Sequence, residues 1–325
     1  MTTWISDQRL EVRNTKFLAT AVHFGHTDDE FVIVKPPALV RRYLRLLEDE
    51  RPERIFELGI KDGGSTALLA LAADPMLLLA ADLEAEMPPR LKELVRSQGL
   101  DGRLVTAFGL DQSDRQALTR FVDSHLVEAS LDLVIDDASH ILAPTRTSFE
   151  VLFPRLRPGG LFVIEDWSAE CHTAAHLARV LPDALDLGER VAAVSQMLHI
   201  LNSPSHDLPE AVLTSLAQAA TTTDGEHSEH NFALFERLIE IAGRADLGAL
   251  ADGPIGRSRP LADLAVELMM ISATNPGVIE EVRIDGEWLS ARRGDADLPR
   301  DGFRLDDNWT DVFGYLGERD RSGPR

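Results

Sequence analysis

Between Arg54 and Asp166 the sequence alternates regularly between short apolar runs and longer amphipathic stretches. "RIFELG", "MLLLAAD", "GRLVTAFG", "LDLVID" and "GLFVIED" read as strands. "GGSTALLALAA", "PPRLKELVRSQG", "SDRQALTRFVDSHL" and "PTRTSFEVLFPRL" read as the helices between them. The strand segments are almost unbroken apolar runs, as expected when helices cover both faces of a sheet. Five strands alternating with four helices predict an α/β fold with a parallel, doubly wound sheet. Such sheets bind ligands at the carboxyl ends of their strands. The residues that close each apolar run are therefore the first candidates for function.

The flanks divide the rest of the chain. Residues 1–36 form a mixed N-terminal segment with His23 and His26, which could reach the site as a lid. Pro36 and Pro37 open a helix, "ALVRRYLRLLEDE", with Leu39, Tyr43, Leu46 and Leu47 on one face. The Rossmann-like core is read over 37–171. After Trp167 the pattern turns mostly helical, with a polar break "TTTDGEHSEHN", and 172–255 is read as a helical insertion serving as lid or dimerisation element. In residues 256–325, "PLADLAVELMMISA" is a helix and "VIEEVRIDGEWLSARRG" an antiparallel hairpin turning at Asp285-Gly286, which together complete the sheet ahead of a C-terminal tail.

Composition excludes several classes of function. Apolar residues make up 44% of the 325, enough for a sizeable core. The formal net charge of −21 repels phosphate backbones, so nucleic acid is not an expected partner. Only four of the basic residues are lysines (Lys16, Lys35, Lys61 and Lys92), read here as compositional bias. The one cysteine, Cys171, rules out an intrachain disulfide framework and fits a reducing compartment. No secretory signal or membrane-length apolar run is visible, so the cytoplasm is the expected location.

"FELGIKDGGS", residues 56–65, joins the first strand to the first helix. Gly59, Gly63 and Gly64 let the backbone turn sharply and approach a ligand closely. The spacing is neither the dinucleotide G-x-G-x-x-G nor a P-loop, which speaks against a nicotinamide dehydrogenase. Asp82 ends the second strand, where an acid can hold a ribose diol. Glu57, Gly59, Gly63, Gly64 and Ser65 followed by this strand-end acid resemble the class I S-adenosylmethionine-dependent methyltransferases. The resemblance implies that the glycine loop packs on the methionine part of the cofactor and that Asp82 holds the ribose. It also implies that Asp111 and Gln112, in "FGLDQSD", contact adenine.

The fourth and fifth strands end in Asp136-Asp137 and Glu165-Asp166. In the strand order of those methyltransferases these strands are neighbours, ~4.8 Å apart. Clustered carboxylates repel, raise one another's pKa values and call for a cation; oxygen donors suit Mg²⁺ or Ca²⁺. His140 is placed to take a proton from an acceptor hydroxyl. The competing readings are that Asp136 or Asp137 caps the next helix and that His140 is structural. His227 and His230 in "EHSEH" fit an exposed loop better than a metal site, and Pro158-Gly159-Gly160 reads as the turn into the fifth strand.

"IDDASH…SFEVLFPRLRPGGLFVIEDW" closely resembles the macrocin O-methyltransferase family, and more loosely the cephalosporin hydroxylase-like proteins, over about residues 50–168. The match implies Asp137 and Asp166 as metal ligands, Glu165 as a third, His140 as base and Asp136 as a residue orienting the loop. It implies a metal-dependent methyltransferase using S-adenosylmethionine and Mg²⁺ or another divalent cation on a sugar hydroxyl of a small molecule or glycan, in a chain that can form a homo-oligomer. The alternatives are methylation of a phenolic diol, or binding of cofactor or sugar without turnover.

Overall fold

A computed structural model describes residues 2–21, 29–126, 130–168, 261–286 and 288–310. The readings made for His23, His26, Cys171, His227, His230, the insertion over 172–255 and the C-terminal tail beyond 310 lie outside the described residues.

The apolar runs become strands at nearly the positions expected from their sequence. They are β5 (Arg54–Leu58), β6 (Leu77–Asp82), β7 (Leu104–Phe108), β8 (Leu131–Asp136) and β9 (Leu156–Glu165). The intervening helices are α2 (Gly64–Ala72), α3 (Pro89–Ser97), α4 (Arg115–His125) and α5 (Leu142–Leu152). After the undescribed stretch come α6 (Ala262–Thr274) and the hairpin β10 (Ile279–Asp285) and β11 (Trp288–Arg293). The seven strands run in the order β10-β11-β9-β8-β5-β6-β7. The five strands from β9 to the β7 edge are mutually parallel, and β11 joins β9 antiparallel. The fold is thus the expected Rossmann-like α/β sheet with an antiparallel C-terminal hairpin.

Period-2 alternation divides the core between the two faces of the sheet. Ile55, Leu78, Leu133 and Val163 face one hydrophobic cluster, which includes Val40, Tyr43, Leu68 and Leu91. Phe56, Leu79, Val134 and Phe162 face the other, with Leu118, Phe149, Leu264 and Leu268. Both faces are covered, so these strands need no polar alternation.

Three local readings change. The N-terminal segment is a second, four-stranded sheet of β1 (Thr2–Trp4), β2 (Arg9–Val12), β3 (Thr15–Ala19) and β4 (Phe31–Ile33). Its strands are too short for their alternation to stand out in the sequence. In the hairpin, Asp285 pairs with Trp288, so Gly286, at φ +59°, opens the two-residue turn and Asp285 still belongs to the strand. Arg157–Gly160 is not a turn before β9 but an excursion within it. Leu131 pairs with Leu156 and Leu133 with Leu161, so residues 157–160 bulge opposite Asp132 alone.

The N-terminal sheet bears directly on the glycine loop. A Cβ on Gly64 would lie 2.0 Å from the Val32 carbonyl oxygen. Backbone therefore meets backbone where β4 crosses the head of α2. Pro37 at the first turn of α1 (Pro37–Glu50) then turns the chain into that helix. Gly64→Ala is expected to push β4 off α2 and to cost about 1–3 kcal/mol, the usual range for overpacking. Chemical denaturation measures this, and an unchanged midpoint would exclude so close an approach.

Candidate active site

The carboxyl ends of β5, β6, β8 and β9 share one edge of the sheet. Gly59, at φ +90°, follows β5 and donates its amide to the Ala81 carbonyl at 3.0 Å. A Cβ there would stand 2.2 Å from the carbonyl oxygen of Asp137. Glycine is required at this point by protein packing: it lets the loop after β5 lie against the end of β8. Gly63, at φ +82°, is the N-cap of α2 and closes a turn by donating to the Ile60 carbonyl.

Asp82 ends β6 as expected, and its carboxylate organises that loop. Oδ2 accepts from the Ile60 and Lys61 amides at 2.6 and 2.7 Å, and Oδ1 accepts from the Glu84 amide at 2.7 Å. A carboxylate offers about four lone-pair directions, so capacity for a ligand hydroxyl remains. Glu57 lies fully buried beneath the loop, and its Oε2 has no hydrogen-bond partner among the described residues. Burial pushes its carboxyl up to about 7, against the opposing pull of Ser65, Thr66 and the Lys35 charge. Asp111 is exposed and accepts from the Ser113 amide in the turn after β7.

Gln112 points inward. Its Nε2 donates to both oxygens of Asp136, at 3.0 and 2.7 Å, and its Oε1 accepts from the Ser139 amide. Ser148 Oγ donates to Asp136 as well, at 2.5 Å. Burial still raises the Asp136 carboxyl to about 6. Asp136 also accepts from the Ala138 amide at 3.4 Å, so Asp136 and Gln112 together bond the first residues of the loop after β8. Neither aspartate caps a helix, because α5 begins only at Leu142, with Ile141 as an N-cap that makes no side-chain bond.

That loop brings the acidic centre together. His140 is not on a helical turn: it sits at φ +55° in the left-handed region, and Asp166 does the same at φ +51°. Such conformations are costly for residues other than glycine and gather at functional sites. His140 Nε2 lies 3.8 Å from Asp137 Oδ1 and 4.0 Å from Asp166 Oδ2. Ligand atoms of these three residues all fall within 4.8 Å of one another. Opposite oxygen ligands lie about 4.2 Å apart on Mg²⁺ and about 4.6–5.2 Å apart on Ca²⁺, so the cluster has the size of a Ca²⁺ site as it stands and needs a contraction of a few tenths of an ångström to close on Mg²⁺.

Glu165 does not join this cluster. Its Oε2 accepts from Lys35 Nζ at 2.8 Å, and Asp137 Oδ2 accepts from the same ammonium at 2.5 Å. Lys35 comes from the stretch between β4 and α1, and its side chain is only 7% exposed. Burial pulls its pKa down, but the two carboxylates more than offset this and hold the ammonium above its ordinary range. Burial raises the pKa of Glu165, opposed mainly by that ammonium. Lys35 was missed in the sequence reading. The available signal was a rare lysine closing the apolar run "FVIV" immediately before two prolines.

An open sheet of this order, with a glycine turn after its first parallel strand and acids closing the next ones, is a Rossmann-like α/β arrangement. Residues 56–167 match the family model described as "Methyltransferase domain". The chain is 35% identical over 150 residues to demethylmacrocin O-methyltransferase of Streptomyces fradiae, covering 46% of this chain and 35% of that protein. It is 53% identical over 60 residues to mycinamicin VI 2''-O-methyltransferase of Micromonospora griseorubida, 18% of this chain and 14% of the relative. With L-olivosyl-oleandolide 3-O-methyltransferase of Streptomyces antibioticus it shares 35% identity over 128 residues, 38% of this chain and 30% of that one. The chain thus spans about a third or less of the length of these curated relatives.

The buried acids give a pH dependence. The folded-state values of Glu57 and Asp136 lie above those of free carboxyls, 4.5 and 3.8, so the folded protein binds these protons more tightly than the unfolded chain. Their contribution favours folding at low pH and is lost as pH rises through about 6 for Asp136 and about 7 for Glu57. Glu57→Gln is expected to flatten the upper part of this fall. Urea midpoints at about pH 5 and about pH 8 test it, and equal losses in wild type and variant would show that Glu57 is not held neutral.

Proposed function

We propose that the chain is a divalent-metal-dependent O-methyltransferase that uses S-adenosylmethionine to methylate a sugar hydroxyl of a glycosylated small molecule. The observation that carries this reading is the grouping of Asp137, His140 and Asp166 beside the glycine turn, at the ends of adjacent strands. The names of the relatives support the acceptor class, since each is an O-methyltransferase and the mycinamicin and olivosyl-oleandolide enzymes are named for glycosylated macrolides.

The residues fit both groups. Glu57 Oε2 is a buried acceptor without a partner among the described residues at the glycine turn, suited to a cationic ammonium. Gly59 and Gly63 shape the turn, Gly64 and Ser65 open α2, and all four are assigned to the methionine part of the cofactor, Asp82 to the ribose and Asp111 to the adenine side. Gln112 would support that side through the Asp136 network. Asp137 and Asp166 would hold the cation, with Glu165, expected as a third ligand, engaged by Lys35. When bound, the sulfonium supplies an electrophilic methyl group and the cation polarises the acceptor hydroxyl. His140 would accept the proton that the acceptor hydroxyl gives up. The insertion over 172–255 is assigned to covering the acceptor or to pairing two copies. Among the described residues no helix is long and apolar enough to cross a membrane. With a single cysteine, the chain suits a reducing cytoplasm.

Methyl transfer to a panel of glycosides is expected to stop in excess chelator and return with Mg²⁺; full activity in chelator would refute the metal assignment. His140→Ala is expected to lower kcat by about 10²–10⁴-fold while leaving cofactor affinity unchanged. Turnover close to wild type at neutral pH would remove His140 as the base.

A further inference from the structure

The turn after β7 and the loop after β8 are joined by one buried side chain. Gln112 is only 6% exposed. Its Nε2 donates to both oxygens of Asp136, at 3.0 and 2.7 Å, and lies 3.1 Å from Ser148 Oγ. Its Oε1 accepts from the Ser139 amide at 3.1 Å. A side-chain amide has donors at one end and an acceptor at the other, so both ends of Gln112 are engaged within the protein. At this depth a contact with adenine would compete with bonds that burial makes costly to lose.

The loop uses these bonds where it carries His140. Asp137 is tied by its own amide, which donates to the Leu58 carbonyl at 2.9 Å. Beyond it, the Ala138 amide makes only a long bond to Asp136, at 3.4 Å, and Gln112 holds the Ser139 amide. Ser139 Oγ in turn accepts from the Ile141 amide at 3.3 Å. His140 is thus bracketed between two tied residues, in a left-handed conformation that persists only where its surroundings enforce it. In the other direction the turn is bonded to the end of β6: the Leu110 amide donates to the Asp82 carbonyl at 3.0 Å, and the Gly109 amide to the Glu84 carbonyl at 2.6 Å. The strand end assigned to the ribose and the loop that carries His140 are therefore two ends of one hydrogen-bonded path.

We propose that Gln112 is a positioning residue for the loop after β8: it holds Ser139, and through it His140, over Asp136, and its side chain does not contact the cofactor. Ser148 serves the same end from α5 by donating to Asp136 at 2.5 Å. Partners of this kind, one shell behind a metal centre, contribute about 10–100-fold to metal affinity or activity. The inference rests on the roles given above to Asp137 and His140 and deepens them.

Three measurements on the full chain test it without reference to turnover. Gln112→Met keeps the length of the side chain and removes its hydrogen bonds. In this variant the Ser139 and Ile141 amides are expected to lose protection against hydrogen exchange. Mn²⁺ binding, followed by electron paramagnetic resonance, is expected to weaken about tenfold or more. Affinity for S-adenosylhomocysteine, measured by calorimetry, is expected to stay at the wild-type value, which also shows the fold to be intact. Ser148→Ala should change exchange and Mn²⁺ binding in the same direction by less, and carries the test if Gln112→Met folds poorly. Weaker cofactor binding with unaltered exchange and Mn²⁺ affinity would make Gln112 an adenine contact and overturn the inference. So would unaltered exchange and Mn²⁺ binding in both variants. Wild-type protein that binds no Mn²⁺ overturns the metal assignment instead, and the exchange rates then still decide whether Gln112 holds the loop.

Discussion

Two contacts between main chains fix the geometry on which the rest of the site depends. The Asp137 carbonyl lies where a side chain on Gly59 would stand, and the Val32 carbonyl where one on Gly64 would stand. The first ties the turn after β5 to the strand that carries the acidic centre. The second ties the head of α2 to the N-terminal sheet, which delivers Lys35. A one-methyl change at either glycine would therefore displace a whole segment, since carbonyl groups cannot rotate away as side chains can. The glycine turn, the acidic strand ends and the lysine are packed into one assembly even though they come from distant parts of the chain.

Much of this fold could be read in advance because its signals are local. Five unbroken apolar runs with helical patterns between them need only the period of the sequence to be recognised, and the acids at the ends of β6, β8 and β9 follow from where each run stops. The N-terminal sheet could not be recognised that way. Strands of three to five residues such as Thr2–Trp4 and Thr15–Ala19 carry too few positions to establish a period. The excursion at Arg157–Gly160 is set by pairing with β8, which is a long-range matter, although its Pro-Gly-Gly marks an irregularity.

The site divides along the same line. Asp137, Asp166 and His140 could be named from their place in the sequence, and the structure brings them together. The partners of Gln112 and Glu165 could not, because each is decided by a side chain far away in the chain: Asp136 for the one, Lys35 for the other. A residue's type shows which bonds it can make. Which of them it does make depends on what the fold places opposite, and burial then determines the charge it carries, as with the raised carboxyls of Asp136 and Glu57.

The left-handed backbone at His140 and Asp166 has a consequence for how this chain can change. Conformational energy of about 1–3 kcal/mol is stored at each such position, so at these two places the demands of folding and of the site are opposed. Replacement of Asp166 by glycine would relieve the strain and remove a carboxylate in one step. Selection for heat resistance alone would therefore tend to erode the acidic centre before the sheet beneath it, leaving a more robust scaffold with an idle edge. Persistence of both residues in left-handed geometry, across variants free to lose them, would mark a chain still held to its chemistry.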